Sequence, residues 1–110
     1  MNRIPASFSS GESSTDSVGQ IAHPKTIAHS KRLEEKLYKV GDKAWTYVGN
    51  GLSNQSFVEG PEGLIVIDTG ECQEEMEFAL QARRRETSAP LVACIYTHFH
   101  YVGGTTSVIA

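Results

Sequence analysis

Two histidines near the end of the sequence, His98 and His100, are separated by a single residue. They follow the apolar run of residues 91–96 and precede the pair Gly103-Gly104. Histidines two positions apart at the end of a strand can direct both imidazoles at one point, and imidazole is a common ligand of transition metals. The spacing therefore predicts a metal site. A pair of structural histidines, hydrogen-bonded to the backbone, is the alternative interpretation.

Asp68 ends an earlier apolar run, residues 64–67, and a segment with helical periodicity, residues 71–86, lies between the two runs. Glutamates crowd the start of that segment and arginines its end, as the helix dipole favours. A strand, a helix and a strand in this order predict a βαβ unit with two parallel, buried strands. Because the carboxyl ends of parallel strands meet at one edge of a sheet, we expect Asp68 to lie near the two histidines.

The elements before this unit read as β-hairpins. Residues 37–40 and 44–48 flank one short turn, and residues 54–59 and 63–68 flank a second turn that contains Pro61. A further helix should begin at residue 105. The expected fold class is α/β (α+β), a mixed sheet with hairpins and one βαβ unit.

The first thirty residues differ in composition from the rest of the chain. Six serines and few large apolar residues occupy positions 1–20, which predicts a disordered leader over residues 1–30. Residues 31–110 then form the folded domain.

Composition excludes several classes of protein. A net charge of −3 and a pI near 5.8 argue against general attraction to nucleic acid. No apolar stretch approaches the roughly 20 residues of a membrane span, and the start lacks a secretory signal, so we expect a cytoplasmic protein without membrane contact. Cys72 and Cys94 have neither disulfide-frame nor zinc-knuckle spacing, and Cys94 reads as a buried thiol within an apolar strand.

Three segments together resemble the metallo-β-lactamase superfamily. They are residues 54–60, residues 63–70 with their Asp-Thr-Gly ending, and residues 96–100, which read Tyr-Thr-His-Phe-His. Within the superfamily the pattern is most similar to alkylsulfatase-type hydrolases. The resemblance implies the N-terminal half of an αββα sandwich, covering residues 31–110 as a partial domain.

The resemblance also implies a zinc site, of one or two ions in the family. His98 and His100 match the first two histidines of the motif His-x-His-x-Asp-His, which bind the first zinc. Asp68 matches an aspartate that supports the metal site without binding the metal directly. No residue of this chain matches a catalytic group beyond these.

The motif is incomplete after His100. Without a gap, Val102 and Gly103 replace the Asp-His pair that binds the second metal; with a two-residue deletion, Gly103-Gly104 keep their family place and the pair is absent. We favour the deletion, which preserves the glycine turn. The family's later ligands have no counterpart here, so we expect a truncated fragment, weak or absent zinc binding, and no activity of this chain alone.

Two functions of different class are consistent with these features. The first is a metal-dependent hydrolase of ester or sulfate-ester type, with a small-molecule substrate. The second is a catalytically inactive binding or assembly module on the same fold. A half sandwich has a sheet face without its second layer, and this face would be the surface for self-association.

Overall fold

The computed structural model describes residues 11–109, and the part of the predicted leader at residues 1–10 lies outside the described residues. The chain divides into two compact units, with the boundary between Leu33 and Glu34. The domain division that the sequence predicts, after residue 30, stays a prediction.

The first unit consists of short, exposed elements. They are β1 (Ser14–Thr15), antiparallel to β2 (Ile21–Ala22), then α1 (Pro24–Ser30) and a 3₁₀ turn (Lys31–Leu33). Local polar contacts define them: Asp16 Oδ1 accepts hydrogen bonds from the backbone of Val18 and Gln20, and His23 Nδ1 caps α1 at the Lys25 amide. The structure thus has secondary structure within a segment predicted to be disordered, because such contacts need no apolar period.

The second unit is a five-stranded mixed sheet with two helices. Its elements are β3 (Lys36–Gly41), β4 (Ala44–Val48), β5 (Gln55–Glu59), β6 (Leu64–Ile67), α2 (Gln73–Arg84), β7 (Leu91–Ile95) and α3 (Thr105–Ile109). The strands follow chain order across the sheet; β3 to β6 are antiparallel, and β6 and β7 are parallel. The predicted fold class, with its hairpins and one βαβ unit, is confirmed.

The hydrophobic core lies between one face of this sheet and α2. Alternate residues of β4, β5 and β6 point to this face, and the helix contributes residues at helical spacing. The buried apolar side chains are Trp45, Tyr47, Phe57, Leu64, Val66, Met76, Ala79 and Leu80. Each large side chain of this kind contributes roughly 1.5–3 kcal/mol when fully buried. No helix within residues 11–109 is long and apolar enough to cross a membrane.

The prediction of two buried strands is wrong for β7. In β6, Leu64 and Val66 are fully buried, while Ile65 and Ile67 on the opposite face are half-buried. In β7, however, Val92 and Ile95 are each about half exposed, at 50% and 49%. An apolar run does not tell whether a strand is covered on both faces. Here β7 is an edge strand of the described sheet, and the two helices of the second unit contact each other, so they leave the opposite face without a second layer from this unit.

Candidate functional site

The parallel pairing of β6 and β7 brings the predicted site residues to one edge of the sheet. Directly after β6, the Asp68 amide donates to the carbonyl of Ile95, the last residue of β7, at 2.9 Å. Asp68 is 8% exposed and has φ of 57°, the left-handed region that aspartate tolerates better than most residues. The backbone bend turns its side chain toward the segment that follows β7, as the next contacts show.

Asp68 clamps the first residue of the histidine segment. Its Oδ1 accepts a hydrogen bond from the Thr97 backbone N–H at 2.9 Å, and its Oδ2 accepts one from the Thr97 hydroxyl at 2.7 Å. Asp68 therefore lies beside the start of the histidine segment and contacts it through Thr97. Sequence reasoning missed Thr97; the signal available was a hydroxyl residue directly before the first histidine.

Four consecutive rings form a compact cluster after Thr97, here called the ring cluster (His98, Phe99, His100, Tyr101). The ring centres of His98 and His100 are 5.1 Å apart at 76°, and those of His98 and Tyr101 are 4.8 Å apart. His98 Nδ1 lies 2.8 Å from the Thr97 hydroxyl oxygen. Phe99 is 78% exposed, so the cluster lies at the surface of this unit.

The imidazole pair fits zinc in chemistry and in spacing. Two imidazoles that share one tetrahedral zinc ion have ring centres roughly 5 Å apart, given Zn–N bonds of about 2.0–2.1 Å. Among residues 11–109, however, no group of three or more His, Cys, Asp or Glu side chains could hold a metal together. As ligands, His98 and His100 would number two, where a catalytic zinc site usually has three from protein. Their role as ligands, and that of Asp68 as their support, stay predictions.

The segment after the ring cluster packs tightly on the loop that follows β6. The Thr69 amide donates to the Tyr101 carbonyl at 2.9 Å, and the Gly103 amide donates to the Gly70 carbonyl at 3.0 Å. A Cβ on Gly103 would collide with the backbone carbonyl of Glu71, and one on Gly104 with that of Thr69. Glycine is therefore needed at both positions for close backbone approach. A ligand histidine in place of Gly103 would not fit this packing.

Two other features do not belong to the predicted site. An open cavity of about 300 Å³ is lined by Glu77, Leu80, Gln81, Arg84 and Ser107, none of them a predicted site residue. Cys94 is half-buried, with its side chain against the core. Burial raises the pKa of its thiol. A hydrogen bond with Tyr96 opposes this shift in pKa, and the negative charge of Asp68 adds to it.

Part of this sequence is similar to a known superfamily and to several sulfatases. The sequence pattern of the metallo-beta-lactamase superfamily matches residues 48–101, from the end of β4 through the ring cluster. A linear primary-alkylsulfatase of a Pseudomonas strain is 36% identical over 55 residues, which are 48% of this chain and 10% of that protein. An alkyl/aryl-sulfatase of Saccharomyces cerevisiae is 32% identical over 76 residues, which are 66% of this chain and 12% of that protein.

The fold has a close counterpart among solved structures. A stereoselective inverting sec-alkylsulfatase from Pseudomonas sp. has a TM-score of 0.70 with 22% sequence identity, over 87% of this chain and 19% of that chain. This likeness supports the fold, and the chain spans about a tenth of the length of the relatives it matches. The superfamily pattern over residues 48–101, together with the alkylsulfatase relatives, therefore places this part of the chain in the metallo-beta-lactamase superfamily, whose members generally bind zinc.

Proposed function

We propose that this chain carries part of the metal site of a zinc-dependent hydrolase that acts on sulfate esters. The observation that carries the proposal is the arrangement of His98 and His100, whose ring centres lie 5.1 Å apart beside the clamp between Asp68 and Thr97. Similarity to alkylsulfatases supports a sulfate ester as the substrate class.

In this proposal each residue has a defined role. His98 and His100 hold the metal through ring nitrogens, and Asp68 holds the first residue of the histidine segment in place through two hydrogen bonds. A bound zinc ion supplies Lewis acidity and lowers the pKa of its water ligand to about 7. Because two imidazoles are fewer than the usual three protein ligands, we expect weak zinc binding and little or no turnover by this chain alone.

Zinc titration of the purified chain by calorimetry tests the metal site. Removing one of only two protein ligands should lower zinc affinity at least about tenfold in His98→Ala and in His100→Ala. His29→Ala is the matched control, because His29 is an exposed histidine in the first unit. Unchanged affinity in both test variants would favour the structural interpretation of the two histidines.

Hydrolysis assays test the substrate class. Purified chain with zinc is incubated with octyl sulfate, and sulfate release is measured by ion chromatography; p-nitrophenyl acetate serves as a carboxylic ester. Zinc-dependent sulfate release that disappears in both histidine variants would support the proposal. Cleavage of the carboxylic ester alone would contradict the sulfate-ester assignment. Cleavage of neither is the result expected from a site with two protein ligands, and the zinc titration then decides between the two candidates.

The second candidate is a catalytically inactive assembly module that associates through the edge and outer face of β7. The exposure of Val92 and Ile95, at 50% and 49%, favours it, because apolar side chains on a sheet edge are available for pairing with another strand. A zinc-independent oligomer without hydrolytic activity, observed by light scattering after size exclusion, would support this function over the first.

A further inference from the structure

We propose that Thr97 is a positioning residue that holds neutral His98 in the tautomer with its proton on Nδ1, so that Nε2 is the nitrogen available to a metal. The inference deepens the proposed function and rests on it for the identity of the metal ligand. The tautomer itself is a property of the metal-free chain and is measured separately.

The protons available on the side chains of Asp68, Thr97 and His98 determine the tautomer. Both oxygens of Asp68 accept hydrogen bonds from Thr97, one from its amide and one from its hydroxyl. An ionised carboxylate has no proton to give, so the single hydroxyl proton of Thr97 lies toward Asp68 Oδ2. The hydroxyl oxygen then offers only lone pairs to His98 Nδ1, 2.8 Å away. The proton in that contact must therefore be on Nδ1.

The competing arrangement reverses the contact between Thr97 and His98 and breaks the contact between the Thr97 hydroxyl and Asp68. If the Thr97 hydroxyl donated to His98 Nδ1, Asp68 Oδ2 would lose a charge-assisted hydrogen bond and gain nothing in return. Hydrogen bonds to a charged acceptor are roughly twice as strong as those between neutral groups, so the proton stays on the Asp68 side. Asp68 is only 8% exposed, and its carboxylate has correspondingly little water to replace that donor.

The hydrogen bonds that run from Asp68 through Thr97 to His98, here called the relay, are held in place by the backbone. The Asp68 amide is held by the Ile95 carbonyl at 2.9 Å, and the Thr97 amide is held by Asp68 Oδ1 at the same distance. Asp68 and Thr97 are therefore both held at the ends of neighbouring parallel strands. The tautomer of His100 is the comparison for that of His98 within the same chain. His100 has ring contacts with its neighbours but no hydrogen bond to another described residue that would fix its tautomer.

Nitrogen NMR of the imidazoles tests the inference. The ¹⁵N-labelled chain is studied with chelator and without metal at about pH 8.5, well above the ordinary histidine pKa of about 6.5. Long-range ¹H–¹⁵N correlation distinguishes a protonated from an unprotonated ring nitrogen. We expect His98 to be mainly the Nδ1–H tautomer. A wild-type His98 that is mainly Nε2–H would overturn the inference directly, whatever the variants do.

Two variants test the cause. Thr97→Val removes the hydroxyl at nearly constant shape, and His98 should lose its preference for Nδ1–H, whereas Thr97→Ser should keep it. Asp68→Asn offers a second route: its amide oxygen accepts from the Thr97 N–H, so its amide nitrogen faces the Thr97 hydroxyl and donates to it. The hydroxyl proton is then free for His98 Nδ1, and the tautomer should switch to Nε2–H with Thr97 still present. A His98 tautomer that is unchanged in both Thr97→Val and Asp68→Asn would refute the role of the relay.

Zinc affinity separates this inference from the proposed function. Second-layer partners of ligating histidines change metal affinity by about 10–100-fold, so Thr97→Val should weaken zinc binding by a factor in this range and Thr97→Ser by much less. If wild-type chain shows the Nδ1–H tautomer but binds no zinc, the proposed function fails and the relay stands. If zinc binds through His98 while the wild-type tautomer is Nε2–H, the relay fails and the proposed function stands.

Discussion

The Asp68 carboxylate accepts two hydrogen bonds from Thr97, one from the backbone N–H at 2.9 Å and one from the hydroxyl at 2.7 Å. These two residues follow neighbouring parallel strands and are 29 positions apart in the sequence. Their contact joins the end of β6 to the segment that carries both histidines. It is therefore a structural clamp as well as the proposed support of a metal ligand.

Loss of this clamp should destabilise the fold. Asp68→Ala leaves the Thr97 N–H without its acceptor and places alanine at a φ of 57°, where a Cβ is strained. We expect the free energy of unfolding to fall by about 2–4 kcal/mol, measured by urea denaturation. Asp42→Ala, in the exposed turn between β3 and β4, is the control and should change stability by less than about 0.5 kcal/mol. Equal effects of the two substitutions would show that the clamp adds no stability.

The glycine pair after the ring cluster should tolerate no side chain. In Gly103→Ala the new Cβ would collide with the backbone carbonyl of Glu71, which cannot move without shifting the loop after β6. We expect a loss of about 2 kcal/mol or more in the free energy of unfolding. Gly41→Ala is the matched control, because its Cβ would meet only Ala44, at 4.0 Å. A Gly103→Ala chain as stable as the control would contradict the close packing of residues 69–72 against residues 101–104.

Charge on the exposed edge strand should reduce self-association. Val92 is half exposed on β7, so Val92→Lys costs little stability but opposes pairing of this edge with another strand. If the chain associates through β7, light scattering after size exclusion should show a smaller average mass for this variant. Val40→Lys, on the edge strand β3 at the opposite side of the sheet, should leave the mass unchanged. The reverse result would move the association surface to β3.

The Cys94 thiol should react slowly at neutral pH. Burial raises its pKa, so a smaller fraction is thiolate at a given pH than in an exposed cysteine, and the thiolate is the reactive form. We expect iodoacetamide to modify Cys94 more slowly at pH 8 than it modifies the same residue in urea, followed by mass spectrometry. The ratio of the two rates should shrink as pH rises through the raised pKa. A native rate equal to that in urea at pH 8 would contradict the effect of burial.

Much of the second unit could be predicted because its signals are local. The apolar residues of α2 recur at helical spacing, with Met76, Ala79 and Leu80 buried as the period predicts. The run of residues 64–67 and the short turns before it likewise identify strands and hairpins. The first unit was not predicted because its elements depend on side-chain caps such as Asp16 and His23, and such caps leave no apolar period in the sequence.

The sequence by itself determined the order of strands and helices in the second unit, the parallel βαβ unit, and the edge of the sheet at which Asp68 and the histidine segment meet. These follow from periodicity and from the rule that parallel strands end together. Only the tertiary structure decided that β7 is half exposed, since the same apolar run suits a covered or an open strand. It also decided that Asp68 reaches His98 through Thr97, because hydrogen bonds between residues 29 positions apart depend on backbone direction, which residue types do not encode locally.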